Sequence, residues 1–251
     1  MSRAPFLTAQ ALRKSYPAVT VLRGVSLSVA EGDSFAVIGP NGAGKTTLFK
    51  VLSGELFADA GTVTFEGRDV TAMPAWQRVR LGFGRTFQVA RVFPDLTAED
   101  NAIVAAEAAR RGGVSLAWWP ARSVRAAAHA ALNEVALFER RSHIARLLAY
   151  GDRKRLELAM SLILRPRLLM LDEPTAGMSP PDRAASVELI AALKQRHGMT
   201  LVLTEHDMSV VFGLANRVAV LNHGEVVTVG TPEEVRANPT VREIYLGSGH
   251  A

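Results

Sequence analysis

No cysteine occurs in the 251 residues of this chain, which excludes disulfides, a thiol nucleophile and a zinc–thiolate site. Aromatic residues make up only 6%. No lysine-rich tract interleaves with them, so composition gives no support to a nucleic-acid partner. No run approaches the roughly 18 consecutive apolar residues that a membrane-spanning helix requires. The opening stretch, MSRAPFLTAQALRKSY, has neither an apolar core nor a small-residue cleavage site, so no secretory signal is expected. These absences fit a cytoplasmic location. Internal repeats and low-complexity linkers are missing as well.

What remains is ordinary for one globular unit with a sizeable core: 48% hydrophobic and 21% charged residues. The net charge of +5 is unevenly placed. Residues 76–165 hold 15 Lys and Arg against 8 Asp and Glu, which leaves the rest of the chain at −2. Such a basic middle segment suits a phosphate-bearing ligand, a membrane surface or plain solvated helix faces.

Periodicity orders the elements. Residues 19–29 alternate as one or two half-buried strands, residues 34–39 form a short buried strand, residues 46–56 read as a helix, and residues 61–70 return to strand alternation. From about residue 91 the chain becomes alanine-rich and helical. Thr97 to Asp100 has capping-box spacing and opens a helix that Gly112-Gly113 should end, and residues 124–140 supply another. Apolar runs at 168–171 and 200–204 flank a long helical pattern at 181–197. A hairpin and a capped helix beginning at Thr231 close the chain. Strands alternating with helices predict an α/β fold with a mostly parallel sheet.

The sharpest motif is GPNGAGKT, Gly39 to Thr46, between a buried strand and a helix. Gly39, Gly42 and Gly44 let consecutive N–H groups converge on an anion, and the helix start adds its positive dipole end. Pro40, Asn41 and Ala43 complete the loop, with Thr47 following it. Lys45 can reach the terminal phosphates of a nucleotide, and the Thr46 hydroxyl can coordinate Mg²⁺. Asp172 and Glu173 end the second apolar run, where an open parallel sheet places its ligands. Asp172 would hold Mg²⁺, and Glu173 would orient or deprotonate the attacking water.

LAYGDRKRLELAMSL, residues 148–162, narrows the class. It resembles the signature loop and helix of ATP-binding cassette (ABC) ATPases, and the family's other elements follow in order along essentially the whole chain. The resemblance implies a single cassette over residues 1–251. Its P-loop core would span about 1–90 and 165–251 with an N-terminal antiparallel β subdomain, and an α-helical insert would span about 91–164. It implies that Tyr16 stacks on adenine, that Gln88 is the Q-loop residue touching the metal, and that His206 is the switch histidine. The stretch 176–179 stands where the D-loop belongs. Leu148, Ala149, Tyr150, Gly151 and Asp152 would complete the ATP site of a second subunit. Gly151-Asp152 is read as preceding the helix, and Arg153-Lys154-Arg155 as a mainly solvated basic face. Two departures stand out: Ala149 replaces the usual serine, and Ser179 replaces the usual aspartate.

GFGRTFQ (82–88), AGMSP and the tail VREIYLG look like the LivG-like subfamily of branched-chain amino-acid importers. That likeness implies two transmembrane permease subunits, with a permease helix docking near Gln88 to Leu96, and a periplasmic solute-binding protein acting indirectly. It also implies a position on the cytoplasmic face of a bacterial inner membrane. Near-identical cassettes could serve urea, amides or aromatic acids. A lipopolysaccharide-exporter ATPase and a non-transport soluble ABC ATPase are the alternatives. Trp118-Trp119-Pro120 reads as an apolar loop packed on the insert or a contact with the membrane partner. The five histidines other than His206 read as surface residues.

Overall fold

The computed structural model describes residues 5–110 and 121–247, with side chains as far as residue 244. Gly112-Gly113, Trp118-Trp119-Pro120 and His250 lie outside the described residues. β1 (Pro5–Tyr16) pairs with β2 (Val19–Ala30) and with β4 (Ala60–Phe65), and β5 (Arg68–Asp69) adds an edge, giving an antiparallel sheet of order β2-β1-β4-β5. The stretch read as one strand over 61–70 is therefore two, split at Glu66-Gly67, where both residues have positive φ.

The second sheet has the order β10-β9-β3-β8-β7-β6. It comprises β3 (Ser34–Ile38), β6 (Phe83–Arg85), β7 (Leu168–Asp172), β8 (Thr200–Thr204), β9 (Arg217–Asn222) and β10 (Glu225–Gly230). All its pairings are parallel except β9 with β10. β3, β7 and β8 are buried at every residue, as continuous apolar runs in a parallel sheet demand.

Strand alternation divides the core. Ala36, Ile38, Leu169, Leu171, Leu201 and Leu203 face one way, into a cluster with the insert helices and α6. Phe35, Val37, Leu168, Met170 and Val202 face the other, against α1 and the antiparallel sheet. The helices are α1 (Lys45–Ser53), α2 (Ala75–Arg80), α3 (Ala98–Ala109), α4 (Arg122–Glu134), α5 (Tyr150–Ile163), α6 (Pro180–His197), α7 (Met208–Leu214), α8 (Pro232–Ala237) and α9 (Pro239–Gly247). α3, α4 and α5 pack on one another. Thr97 caps α3, and Thr231 with Glu234 closes a full capping box on α8. The helix expected over 124–140 stops at Glu134. Ala136 takes φ +55, which a helix cannot continue through, and a short 3₁₀ turn follows at Phe138–Arg140.

Arg78 in α2 is 1% exposed and was not singled out by the sequence. Its guanidinium donates to the carbonyls of Val51, Leu52, Val70, Thr71 and Met73. Burial pushes its pKa down to about 10, with Asp69 opposing. Arg78 thus ties the carboxyl end of α1, the helix behind the Gly39–Thr46 loop, to the turn before α2. Arg78→Met strands those carbonyls and is expected to cost about 3 kcal/mol. A calorimetric melt should then show a Tm roughly 6–12 °C lower; an unchanged Tm would mean the carbonyls find other donors.

Candidate functional site

Because β3, β6, β7 and β8 run parallel, the loops leaving their carboxyl ends share one edge of the sheet. The Gly39–Thr46 loop leaves β3. A Cβ on Gly39 would lie 2.0 Å from the Leu221 carbonyl oxygen, so no other residue fits there. Gly42 has open space around it but takes φ +79, so its requirement is conformational. α1 begins with no side-chain cap and no acid in its first turn, which leaves its first N–H groups available to an anion. Lys45 is 7% exposed and lies across its own loop, donating to the Gly39 and Pro40 carbonyls at 2.7 and 3.0 Å. Burial lowers its pKa, while Glu173 and Asp172 raise it, so both carboxylates act on its charge.

Asp172 is buried at the end of β7. Its Oδ1 accepts from the Thr204 hydroxyl at 2.7 Å, and Arg85 Nη2 lies 3.4 Å from its Oδ2. Glu173 takes φ +47, a strained setting for a non-glycine residue. Its N–H is held by the carbonyl and the hydroxyl of Thr204, each at 3.1 Å. Its Oε2 accepts from Gln88 Nε2 at 2.7 Å, and its Oε1 lies 2.5 Å from His206 Nε2. Gln88, Glu173 and His206, which are 85 and 33 residues apart in sequence, meet as one cluster.

Two further residues escaped the sequence reading. Thr204 bridges Asp172 and Glu173 as described. Glu205 is 3% exposed and accepts from the N–H and hydroxyl of Thr175 at 3.1 and 2.8 Å, and from the His206 N–H at 3.2 Å. It therefore clips the stretch after Glu173 to the histidine. The only signal available was a carboxylate next to His206.

Tyr16 ends β1 opposite Val19 and is 43% exposed. Ala149 is the N-cap of α5 and supplies no side-chain cap. The helix begins at Tyr150, so Gly151 and Asp152 lie inside its first turn and do not precede it; a Cβ on Gly151 would meet nothing within 4 Å. Asp152 is buried and paired with Arg140. Among the described residues, no hydrogen bond or ion pair of 148–152 reaches the loop at 39–47; Tyr150 instead donates to the Gln88 carbonyl. The basic trio is not uniformly solvated, because Lys154 is 7% exposed and donates to the Phe87 carbonyl. Ser179 caps α6, which gives it a local task in the aspartate's place. His129 is half-buried and His197 exposed, and they meet Glu99 and Glu134 at 2.9 and 2.6 Å.

The described residues contain no cluster of three or more His, Asp or Glu able to hold a metal alone. A hydroxyl, an amide and one carboxylate from Thr46, Gln88 and Asp172 are nevertheless hard oxygen donors, the set that Mg²⁺ uses when phosphates complete its shell.

A phosphate loop on β3, an acid pair on β7 and a histidine past β8 define a P-loop nucleotide-binding cassette. The family model described as "ABC transporter" matches residues 22–176, and one described as "Branched-chain amino acid ATP-binding cassette transporter" matches residues 225–251. The high-affinity branched-chain amino acid transport ATP-binding protein LivG of Salmonella typhimurium is 38% identical over 250 residues, covering 97% of this chain and 98% of that protein. The lipopolysaccharide export system ATP-binding protein LptB of Acidithiobacillus ferridurans is 36% identical over 241 residues, covering 96% of each. A crystal structure of the ADP conformation of an ATP-binding cassette superposes with a TM-score of 0.86 at 29% identity, covering 97% and 99% of the two chains. The chain belongs to the ABC transporter family, as an ATP-binding cassette.

Proposed function

We propose that this chain hydrolyses ATP with Mg²⁺ to power import of branched-chain amino acids or related small polar solutes. The observation that carries the hydrolytic reading is the Glu173 carboxylate held between Gln88 and His206, one residue beyond Asp172. In this reading the Gly39–Thr46 loop and Lys45 bind the phosphates, Tyr16 receives adenine, and Thr46, Asp172 and Gln88 hold Mg²⁺. The metal supplies charge neutralisation on the β- and γ-phosphates when bound. Glu173 takes a proton from the attacking water while Gln88 and His206 keep its two oxygens aimed.

α5 starts after Ala149 with no side-chain cap, which leaves its first N–H groups available to an anion and supports a second ATP-binding chain, identical or paralogous, whose site residues 148–152 would complete. The whole chain then acts as one cassette, with residues 91–164 as the insert. Of two transmembrane permeases, a helix of one would dock on this chain near Gln88 to Leu96, where Val89 and Phe93 are exposed and an apolar groove of about 170 Å³ is lined by Val79, Phe83 and Phe87. No helix among the described residues is long and apolar enough to cross a membrane, so membrane attachment would be peripheral, on the cytoplasmic face of a bacterial inner membrane. The periplasmic solute-binding protein would act only through the permeases.

The C-terminal match to the branched-chain amino acid cassette model favours import, and the likeness to LptB keeps lipopolysaccharide export as a second reading. Reconstitution with both permeases and the solute-binding protein in proteoliposomes is expected to give ATP-dependent leucine uptake. Uptake of urea or amides without leucine would overturn the substrate, and ATP-driven lipopolysaccharide transfer would favour the second reading.

A further inference from the structure

Residues 86–93, between β6 and α3, form no regular structure, so their backbone groups need partners from elsewhere. Those of residues 87–91 come from one face of α5, while Met170 and Asn101 serve Thr86 and Phe93 at the two ends. Tyr150, Lys154, Glu157 and Ser161 are spaced by four, three and four residues and line up along the helix. Tyr150 donates to the Gln88 carbonyl, Lys154 to the Phe87 carbonyl and Ser161 to the Arg85 carbonyl. Glu157 does the converse: its Oε1 alone accepts the N–H of Phe87 at 3.2 Å and of Arg91 at 2.9 Å. The three residues between those donors, Gln88, Val89 and Ala90, form a small loop pinned at both ends to a single oxygen. The Arg91 guanidinium lies over the Phe87 ring, 3.8 Å from its centroid, and closes the loop from outside.

Glu157 is 4% exposed. A buried carboxylate is costly, and among the described residues no cation forms a close ion pair with it, although the Lys154 charge favours its ionised form. Among the described residues its Oε2 and the Thr86 hydroxyl have no hydrogen-bond partner, and both residues line one cavity of about 30 Å³, room for a single water. Burial raises its pKa, opposed by the Arg91 N–H and by Lys154. The two N–H bonds to its Oε1 are the hydrogen bonds that the described residues give it, and both come from the loop.

We propose that Glu157 is a positioning residue for Gln88: its carboxylate is the post around which residues 87–91 turn. The helix headed by residues 148–152 thereby sets where the Gln88 amide meets Glu173. The consequence for turnover rests on the hydrolytic reading above, whereas the pinning of the loop does not.

Amide hydrogen exchange on the full chain tests the pinning directly. In the parent, the Phe87 and Arg91 amides are expected to exchange at least tenfold more slowly than that of exposed Val89; equal rates would overturn the proposal without any variant. In Glu157→Ala that protection should fall at least tenfold, kcat should fall about tenfold, and ATP affinity should stay within about threefold. Glu157→Gln keeps an acceptor at the same place and should restore both protection and kcat to within about threefold. If Glu157→Ala does not fold, the parent and Glu157→Gln decide: protected amides with near-parent kcat in the latter support the post, and lost protection in a folded Gln variant overturns it. Protection lost in folded Glu157→Ala with kcat unchanged would also overturn the positioning role. That last outcome leaves the hydrolytic reading to Glu173→Gln.

Discussion

Glu173→Gln is expected to slow ATP hydrolysis about a thousandfold, within the range that loss of a general base produces, while ATP binding persists. Glutamine matches the volume of glutamate but cannot accept a proton from water. The site can accommodate it. With its carbonyl toward Gln88 Nε2, the new amide places its NH₂ toward His206, which can present an unprotonated Nε2 in its other tautomer. The strained backbone at Glu173 is held by Thr204 and does not depend on the carboxylate. Lys45 and the phosphate loop are untouched, so the variant should accumulate a nucleotide-bound form, and sedimentation with ATP should show the paired state if two chains share each site. Single-turnover hydrolysis is the measurement. A rate near the parent's would remove Glu173 from the base's role and shift attention to His206.

What could be read in the sequence followed from features that act locally or by periodicity. The Gly39–Thr46 loop was legible because glycine spacing and the neighbouring strand and helix are all contiguous. The ends of β7 and β8 were legible because fully buried parallel strands are unbroken apolar runs that stop at polar residues. The cluster of Gln88, Glu173 and His206 could be assembled only through the family resemblance, since no local pattern brings residues 88, 173 and 206 together. Arg78, Glu157 and Glu205 were invisible for a different reason. Each is a charged residue buried against backbone groups of a distant or irregular segment, and a charge in a helix or beside a strand end reads by default as solvated. Lys154 shows the same limit: it sits within a basic trio, but helical geometry turns it alone of the three into the core. The early stop of α4 at Glu134 depended on a positive φ at an alanine, for which composition carries no sign.

Lys45→Ala is expected to weaken ATP binding by roughly a hundred- to a thousandfold. The ammonium donates to two carbonyls, those of Gly39 and Pro40, which lie in the loop that would cradle the phosphates. Phosphate oxygens would replace them with bonds in which both partners are charged, adding ion-pair attraction to bonds that the ammonium already makes charge-assisted. Truncating one partner of a hydrogen-bonded charge pair costs about 2–5 kcal/mol, and a loss of about 3–4 kcal/mol is two to three decades in Kd. Asp172 and Glu173 sharpen the effect, because both act on the Lys45 charge and removing it leaves less positive charge between a triphosphate and two carboxylates. The loss should depend on which phosphates are present. The free N–H groups at the start of α1 and in the loop remain in the variant, so AMP, which lacks the terminal phosphates, should lose far less affinity than ATP. Titration calorimetry with both nucleotides separates the cases. Equal losses for AMP and ATP would mean that the substitution has collapsed the loop, and unchanged ATP affinity would mean that Lys45 does not reach the terminal phosphates.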